Sequence, residues 1–206
     1  VTAGSAADLI QLMGQDFKEP ESHLKSMSQE DKKFLKTLEE GIHHREDGFY
    51  EMPLPFRNGE PSLPNNRQAA LHRVLSLKKQ FDKKPQYFQH YTAFMKEILE
   101  RGDAEKIPDS EMDVPNQWYI PHHGVYHPKK PGKVRVVFDC SARHQGVCIN
   151  DHLLQGPDLI NSLVGVLCRF REGPIAFTCD IEKMFHQFRV EKGHQDYLRF
   201  LWWEDG

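Results

Sequence analysis

The spacing of apolar residues predicts mainly helices in the first half of the chain and strands in the second. Residues 26–41 predict a helix with a narrow apolar stripe. Ser28, a residue type that caps helix N-termini, should begin it, and Gly41 should end it. Residues 65–85 and 85–102 repeat apolar side chains at helical spacing and predict two stronger helices. The aromatic residues of the second are expected in the core.

The second half of the chain has the alternation and the turn residues of strands. Two β-rich runs within 118–142 flank a Pro-Gly pair and predict a hairpin. Residues 150–173 are predicted to begin as a loop and to become a helix that Asp158 caps and whose apolar side chains face inward. Three further segments are expected to be extended: 48–66, 174–179 and 195–206. The prolines of 48–66 predict an edge strand there.

Composition restricts the class of protein. The 206 residues are 38% hydrophobic and 28% charged, which suits one globular domain with an extension. No apolar run approaches the roughly 20 residues of a membrane-spanning helix. The formal net charge of −3 excludes a chain that is basic throughout. The four cysteines form no CxxC pair, and three of them lie in apolar or strand-like surroundings, which suits reduced, buried thiols in an intracellular protein. The first residue is not Met, so we expect a piece of a longer protein.

Asp180 is the first candidate for chemistry. It follows a predicted buried strand, and the carboxyl ends of core strands are where sheets present polar groups to a cleft. The alternative is that Asp180 caps the next turn or helix, and this segment alone favours capping.

The predicted hairpin is the second candidate. It carries Lys129, Lys130, Lys133 and Arg135, and residues two apart on a strand share a face, so the last two should lie side by side. Such cations suit a triphosphate or a nucleic-acid backbone. An exposed strand that lysines keep soluble explains them equally well. Together with Asp180 they suggest one site, in which the cations hold a triphosphate and Asp180 binds its Mg²⁺.

Four motifs carry a family resemblance. The segments KVRVVFD, LLQGPDL, DIEKMFHQ and LRFLWW occur in this order, and residues 48–206 closely resemble the reverse transcriptase of BEL/Pao-type LTR retrotransposons. The resemblance implies an α+β fold, a partial right-hand polymerase with N-terminal helices, a fingers hairpin and an incomplete palm sheet. It also implies three regions: a linker between protease and polymerase at 1–47, a helical part at 48–115, and the fingers hairpin with the first half of the palm at 116–206.

The resemblance also implies roles for individual residues. Lys133 and Arg135 would contact the phosphates of the incoming nucleotide. Asp180 would be the first catalytic aspartate and a ligand of both metal ions, and Ile181 would offer its backbone carbonyl to one of them. Phe185, five positions after Asp180, would lie under the deoxyribose and exclude a 2′-hydroxyl. Lys129 and Lys130 would contact nucleic acid.

The family's second metal-binding motif, tyrosine-any-Asp-Asp, does not occur in this sequence and would lie downstream of Gly206. We therefore expect this part alone to be inactive. The intact polyprotein is expected to use Mg²⁺, a template–primer and deoxynucleotide triphosphates. It would also contain the rest of the palm, a thumb, ribonuclease H and integrase, and act without a membrane in a cytoplasmic virus-like particle. An inactive remnant that binds nucleic acid through its hairpin is the alternative.

A zinc site is a weaker candidate. His122, His123 and His127 lie near Cys140 and Cys148 in the sequence, and imidazole and thiolate are zinc ligands. Their spacing matches no standard finger, and neighbouring residues of a strand point to opposite faces, so we do not expect a metal here.

Overall fold

A computed structural model describes residues 27–112, 114–127 and 129–203, with all side chains except those of residues 127, 130 and 131. The described residues form a mixed α+β arrangement. Its helices are α1 (Gln29–Gly41), α2 (Arg67–Lys83), α3 (Pro85–Glu100) and α4 (Leu163–Phe170). Its strands are β1 (His43–His44), β2 (Tyr50–Met52), β3 (His122–His127), β4 (Lys130–Phe138) and β5 (Phe188–Val190).

The chain divides into two compact units. Of the described residues, the first unit contains 27–36 and 155–182, and the second contains 37–112, 114–127, 129–154 and 183–203. The parts of the predicted regions at 1–26 and 204–206 lie outside the described residues. Both sheets belong to the second unit: a small sheet in the order β1-β2-β5 and the two-stranded hairpin β3-β4.

The start of α1 follows from its sequence. The Oγ of Ser28 accepts a hydrogen bond from the backbone N–H of Asp31 at 3.0 Å, and the Asp31 carboxylate accepts one from the backbone N–H of Ser28 at 3.0 Å. This reciprocal pair is a capping box, which satisfies two N–H groups that the first turn of the helix leaves without partners. The predicted helix and its cap are confirmed.

Helices α2 and α3 build the main core of the second unit. The side chains that α3 buries recur every three or four residues, as predicted, and they pack on one face of β4 and on α2. The cluster contains Leu77, Phe81, Tyr87, Tyr91, Met95, Ile98, Val134 and Val136. Burial of each large apolar side chain contributes about 1.5–3 kcal/mol, so this cluster is the main source of stability of the unit.

Two buried polar side chains connect distant segments of the second unit. Asn66, just before α2, donates from its amide to the Tyr119 carbonyl and accepts from the Tyr119 N–H, both at 2.8 Å. Arg199 is only 4% exposed and donates to the backbone carbonyls of Glu111 and Met112. Because a buried polar group costs free energy unless it is paired, these contacts fix where the connecting loops lie.

The predicted hairpin is confirmed, with β3 and β4 antiparallel and Val125 opposite Arg135. Gly124 on β3 lies against the rings of α3, and a Cβ there would come within 2.7 Å of the Tyr87 hydroxyl. The same hydroxyl accepts a hydrogen bond from the Gly124 N–H at 2.9 Å. The glycine therefore lets the hairpin approach α3 closely.

Two extended segments differ from the prediction. Within 48–66 only Tyr50–Met52 forms a strand, and β2 is the middle strand of its sheet, not an edge, because β1 and β5 pair with its two sides. The expected strand at 195–206 is a 3₁₀-helix, Lys192–Leu198, followed by a single bridge from Arg199 to Tyr119.

Helix α4 starts later than predicted and does not bury its apolar face. Ser162 caps it by accepting a hydrogen bond from the Gly165 N–H at 3.1 Å, whereas Asp158 accepts from Ile160 in a turn before the helix. Leu163 is 71% exposed, and none of the residues of α4 is buried. The helical spacing was recognised correctly, but the described residues of the first unit supply no layer that covers this face.

His122 gives the second unit a pH-dependent stability. The Tyr91 hydroxyl contacts its Nδ1, and its Nε2 donates to the Leu201 carbonyl at 2.8 Å, which fits a neutral imidazole. Burial raises the pKa of Tyr91, which therefore stays protonated, and burial lowers the pKa of His122 below its ordinary value of 6.5.

We expect the His122 contribution to be complete above the unfolded-state pKa of about 6.5 and to be lost as the pH falls through the lower folded-state pKa. The free energy of unfolding from urea titrations should therefore decrease between about pH 7.5 and pH 5. His122→Phe should reduce this decrease, and His123→Gln, on the exposed face of the same strand, should leave it unchanged. An equal pH dependence in the wild type and His122→Phe would contradict the assignment.

Candidate functional site

The exposed face of β4 carries the predicted cations. Val134 and Val136 are 4% and 7% exposed and pack into the core. Lys133 and Arg135, which alternate with them along the strand, are exposed. The prediction that these two cations share one accessible face is confirmed. Lys129, in the turn between the strands, is also exposed. The side chain of Lys130 lies outside the described residues.

A carboxylate of α3 connects this face with a segment far along the chain. Glu97 forms an ion pair with Lys183, which is 86 positions away in the sequence. The hydrogen bond from Lys183 lowers the pKa of Glu97, and the charges of Arg101 and Lys133 act in the same direction. Lys133 and Lys183 therefore lie in one electrostatic neighbourhood of the second unit, which the sequence did not indicate.

Phe185 lies two residues after Lys183, in the 3₁₀-turn Met184–Gln187. Its side chain is 78% exposed, so the ring is available to a ligand instead of being part of the core. The second unit thus contains Lys133, Arg135 and Phe185, three of the residues to which the resemblance assigns nucleotide contacts.

Asp180 and Ile181 belong to the first unit. The buried strand expected at 174–179 is absent: this segment has no strand, and Ile175 and Phe177 are 86% and 84% exposed. A strand needs a neighbour that pairs its backbone and a layer that covers its side chains, and within the described ranges no strand pairs with it. The prediction of a buried strand before Asp180 is wrong for the described chain.

The capping alternative for Asp180 is not supported either. Asp180 is exposed, and the next helical turn, Met184–Gln187, has Lys183 at its N-cap without a side-chain capping bond. Ile181 is 61% exposed. Because Asp180 lies in the first unit and Arg135 in the second, their convergence on one hollow stays a prediction.

The described residues do not by themselves fit a two-metal centre. Among residues 27–112, 114–127 and 129–203, no group of three or more His, Cys, Asp or Glu side chains could hold a metal ion. Two Mg²⁺ ions need several carboxylate oxygens, and Asp180 with the Ile181 carbonyl offers fewer. Of the weaker zinc candidate, the side chain of His127 lies outside the described residues, and His122 is occupied by Tyr91 and the Leu201 carbonyl.

The four cysteines are all free. Cys148 is buried and Cys140 is partly buried, whereas Cys168 and Cys179 are exposed. The expected burial of thiols is therefore found only around the hairpin. The exposure of Cys179 has the same cause as that of Phe177, since the strand predicted to carry both is not formed.

No sequence pattern predicted the buried carboxylate of Asp103 and the basic side chains around it. The side chain of Asp103, shortly after α3, is 3% exposed, and three basic side chains surround it. Arg189 Nη1 is 3.1 Å from Oδ1, and His186 Nδ1 and Arg101 Nε are 3.1 Å and 3.2 Å from Oδ2. Only the basic character of residues 183–189 gave any hint of this, because the partners come from distant segments.

Comparison with known proteins adds no relative: no family model, no curated protein and no solved structure matches the chain. Within the part of the chain that the structure describes, no helix has both the length and the apolar character needed to cross a bilayer. The described residues form a mixed α+β protein with an exposed cationic hairpin. Evidence about its function therefore comes from these residues and from the motifs that they carry.

Proposed function

We propose that this chain is the fingers and first half of the palm of an RNA-directed DNA polymerase from a BEL/Pao-type retrotransposon. The intact polyprotein would add deoxynucleotides to a primer by attack of the primer 3′-hydroxyl on the α-phosphate, with loss of pyrophosphate. It would act in a cytoplasmic virus-like particle with the rest of the palm, a thumb, ribonuclease H and integrase.

The observation that carries the proposal is the hairpin β3-β4. Lys133 and Arg135 occupy its exposed face, and the opposite face is anchored by Val134 and Val136 in the core. A guanidinium and an ammonium on a rigid ribbon can bind phosphate oxygens without first ordering a loop. Phe185 belongs to the same unit as these cations and follows Lys183, which pairs with Glu97 on the helix that packs on β4; this supports a common nucleotide surface.

Each residue then has a defined task. Lys133 and Arg135 bind the triphosphate and offset its charge, and the Phe185 ring packs against the sugar, where it leaves no room for a 2′-hydroxyl. Mg²⁺ is expected in the intact enzyme. The described residues do not hold the carboxylates for it, so Asp180 is assigned here only as one carboxylate of a set completed by other parts of the polyprotein.

The exposed apolar surface of the first unit supports the same proposal. Leu159, Ile160, Ile175 and Phe177 are 73% to 87% exposed. Contiguous exposed apolar surface usually marks an interface. In an intact palm, the strands that the resemblance places after residue 206 would cover it.

The alternative is an inactive remnant that binds nucleic acid through its hairpin. The reading frame distinguishes the two. An Asp-Asp motif in an open frame beyond Gly206 supports the enzyme, and a frameshift or stop codon before such a motif supports the remnant.

Binding of a template–primer tests the role of the hairpin. The logarithm of the affinity should fall linearly with the logarithm of the salt concentration, because the cations displace counterions from phosphates. The double variant Lys133→Gln/Arg135→Gln should reduce that slope by about 2. The control Lys79→Gln/Lys83→Gln, with the same charge change on α2, should keep the slope. A slope near zero in the wild type would exclude binding through phosphates.

Phe185→Val should admit ribonucleotides in the enzyme extended past Gly206. The smaller side chain would leave space for the 2′-hydroxyl, so the preference for deoxynucleotides should fall by about 10- to 100-fold. The measurement is kcat/KM for paired deoxy- and ribonucleotides in single-nucleotide primer extension. Phe188→Val on β5 removes an equivalent ring and should leave the preference intact. Unchanged nucleotide choice in Phe185→Val would remove the role assigned to this ring.

A further inference from the structure

Two carboxylates hold the segment 183–189 to α3 and the loop that follows it. Glu97 on α3 pairs with Lys183. Arg189 donates a hydrogen bond to Oδ1 of Asp103 at 3.1 Å, and Nδ1 of His186 lies 3.1 Å from Oδ2, which has no hydrogen-bond partner among the described residues. All these residues belong to the second unit.

From this arrangement we infer that Glu97 and Asp103 are positioning residues that set the nucleotide selectivity of the polymerase by fixing the turn that presents Phe185. The inference rests on the proposed function, because it takes the Phe185 ring as the group that meets the sugar. Neither carboxylate contacts the nucleotide in this account, and both act through the basic residues that they bind.

The geometry of the turn explains why the two carboxylates leave Phe185 exposed. A 3₁₀-helix has three residues per turn, so residues at intervals of three lie on one side. Of the anchored side chains, only His186 belongs to the turn Met184–Gln187; Lys183 precedes the turn and Arg189 lies in β5. Phe185 is next to His186, about a third of a turn away from it, and is 78% exposed. The contacts thus hold one side of the turn and direct the ring to the other.

Backbone contacts at the end of α3 fix the position of Asp103 independently of the turn Met184–Gln187. Its backbone N–H donates to the Ile98 carbonyl at 2.8 Å, and Gly102 before it has a φ of +68°, which favours glycine. This tight end of α3 fixes the position of the carboxylate. A buried carboxylate is unfavourable without partners, so the hydrogen bond to Oδ1 should hold the Arg189 guanidinium to it.

The backbone conformation of Lys183 indicates that the turn depends on the contact with Glu97. Its backbone has φ 49° and ψ 46°, a left-handed conformation that residues other than glycine rarely adopt. Such a conformation persists when surrounding contacts over-determine it. The pair with Glu97 supplies one contact, and the hydrogen bond from the His186 N–H to the Lys183 carbonyl, at 2.8 Å, supplies another. Loss of the Glu97 charge should let this residue relax and move Phe185.

Hydrogen exchange on the 206-residue chain tests the anchoring without any need for activity. Glu97→Gln and Asp103→Asn should each increase amide exchange in segment 183–189 by about tenfold. Glu100→Gln, which removes an exposed carboxylate paired only locally with Lys96, should not. If Asp103→Asn fails to fold, the exposed Glu97→Gln decides the result. Unchanged exchange in Glu97→Gln overturns the inference.

Nucleotide discrimination in the enzyme extended past Gly206 tests the positioning. Glu97→Gln should lower the deoxy-to-ribonucleotide ratio of kcat/KM by about five- to tenfold, whereas a purely structural role would lower both values equally. The swap Glu97→Lys/Lys183→Glu should restore the ratio. An active enzyme with faster exchange but an unchanged ratio overturns the inference. A wild-type extended enzyme that makes no DNA contradicts the proposed function instead, and hydrogen exchange still decides whether the turn is anchored.

Discussion

Asp180→Asn is expected to lower DNA synthesis by the enzyme extended past Gly206 by about a thousandfold or more. The substitution keeps the shape of the side chain and removes its charge. Asp180 is exposed, so a loss of stability should not accompany the loss of activity. Primer extension with matched amounts of wild type and variant measures the effect, and the melting temperature shows that the fold is retained.

Glu172→Gln is the matched control, because Glu172 is an exposed carboxylate of the same unit, eight positions before Asp180. It should leave synthesis at the wild-type level. Undiminished synthesis in Asp180→Asn would show that this carboxylate is not catalytic, whatever the behaviour of the hairpin.

Arg199→Met is expected to be the most destabilising single substitution at a polar residue, with a loss of about 3–5 kcal/mol in the free energy of unfolding. The guanidinium donates to the Asp196 carboxylate at 2.7 Å and 2.9 Å, to Gln117 at 3.0 Å and to two backbone carbonyls. Methionine has similar length but no donors, so it would leave the buried Gln117 oxygen and the two backbone carbonyls without this partner, whereas Asp196, 41% exposed, can be hydrated. Equilibrium urea unfolding measures the loss.

Arg143→Met is the control for Arg199→Met. Arg143 also binds a carboxylate with two donors, at 2.8 Å and 3.0 Å to Asp151, but both partners are largely exposed to solvent. Water can replace such a pair, so the loss should be much smaller than for Arg199. Equal losses in the two variants would show that the Arg199 network does not stabilise the fold.

The sequence predicted those elements whose signals are local. The capping box of Ser28 and Asp31, the buried face of α3 and the hairpin β3-β4 all depend on residues a few positions apart. The exposed pair Lys133 and Arg135 followed from alternation along one strand. In each case the groups that are paired or buried in the observed element would have no partner in another local conformation.

The predictions failed where a segment depends on a partner that its own sequence does not specify. Residues 174–179 have the composition of a strand, but no described strand pairs with them. The apolar face of α4 has the correct spacing and no covering layer. Asn66, Asp103 and Arg199 were missed for the same reason, since each bonds to segments far away in the sequence. Composition cannot show which polar residue a fold will bury.

The resemblance predicts that Arg135 and Asp180 face one nucleotide, and metal-directed cleavage tests this central prediction most directly. Fe²⁺ would replace Mg²⁺ in the extended enzyme with a template–primer and a deoxynucleotide, and hydroxyl radicals would then cut the backbone next to the bound metal. We expect nucleotide-dependent cuts in both β4 and the segment 179–182, lost in Asp180→Asn. Cuts confined to one of these segments, or cuts that do not depend on the nucleotide, would contradict the account.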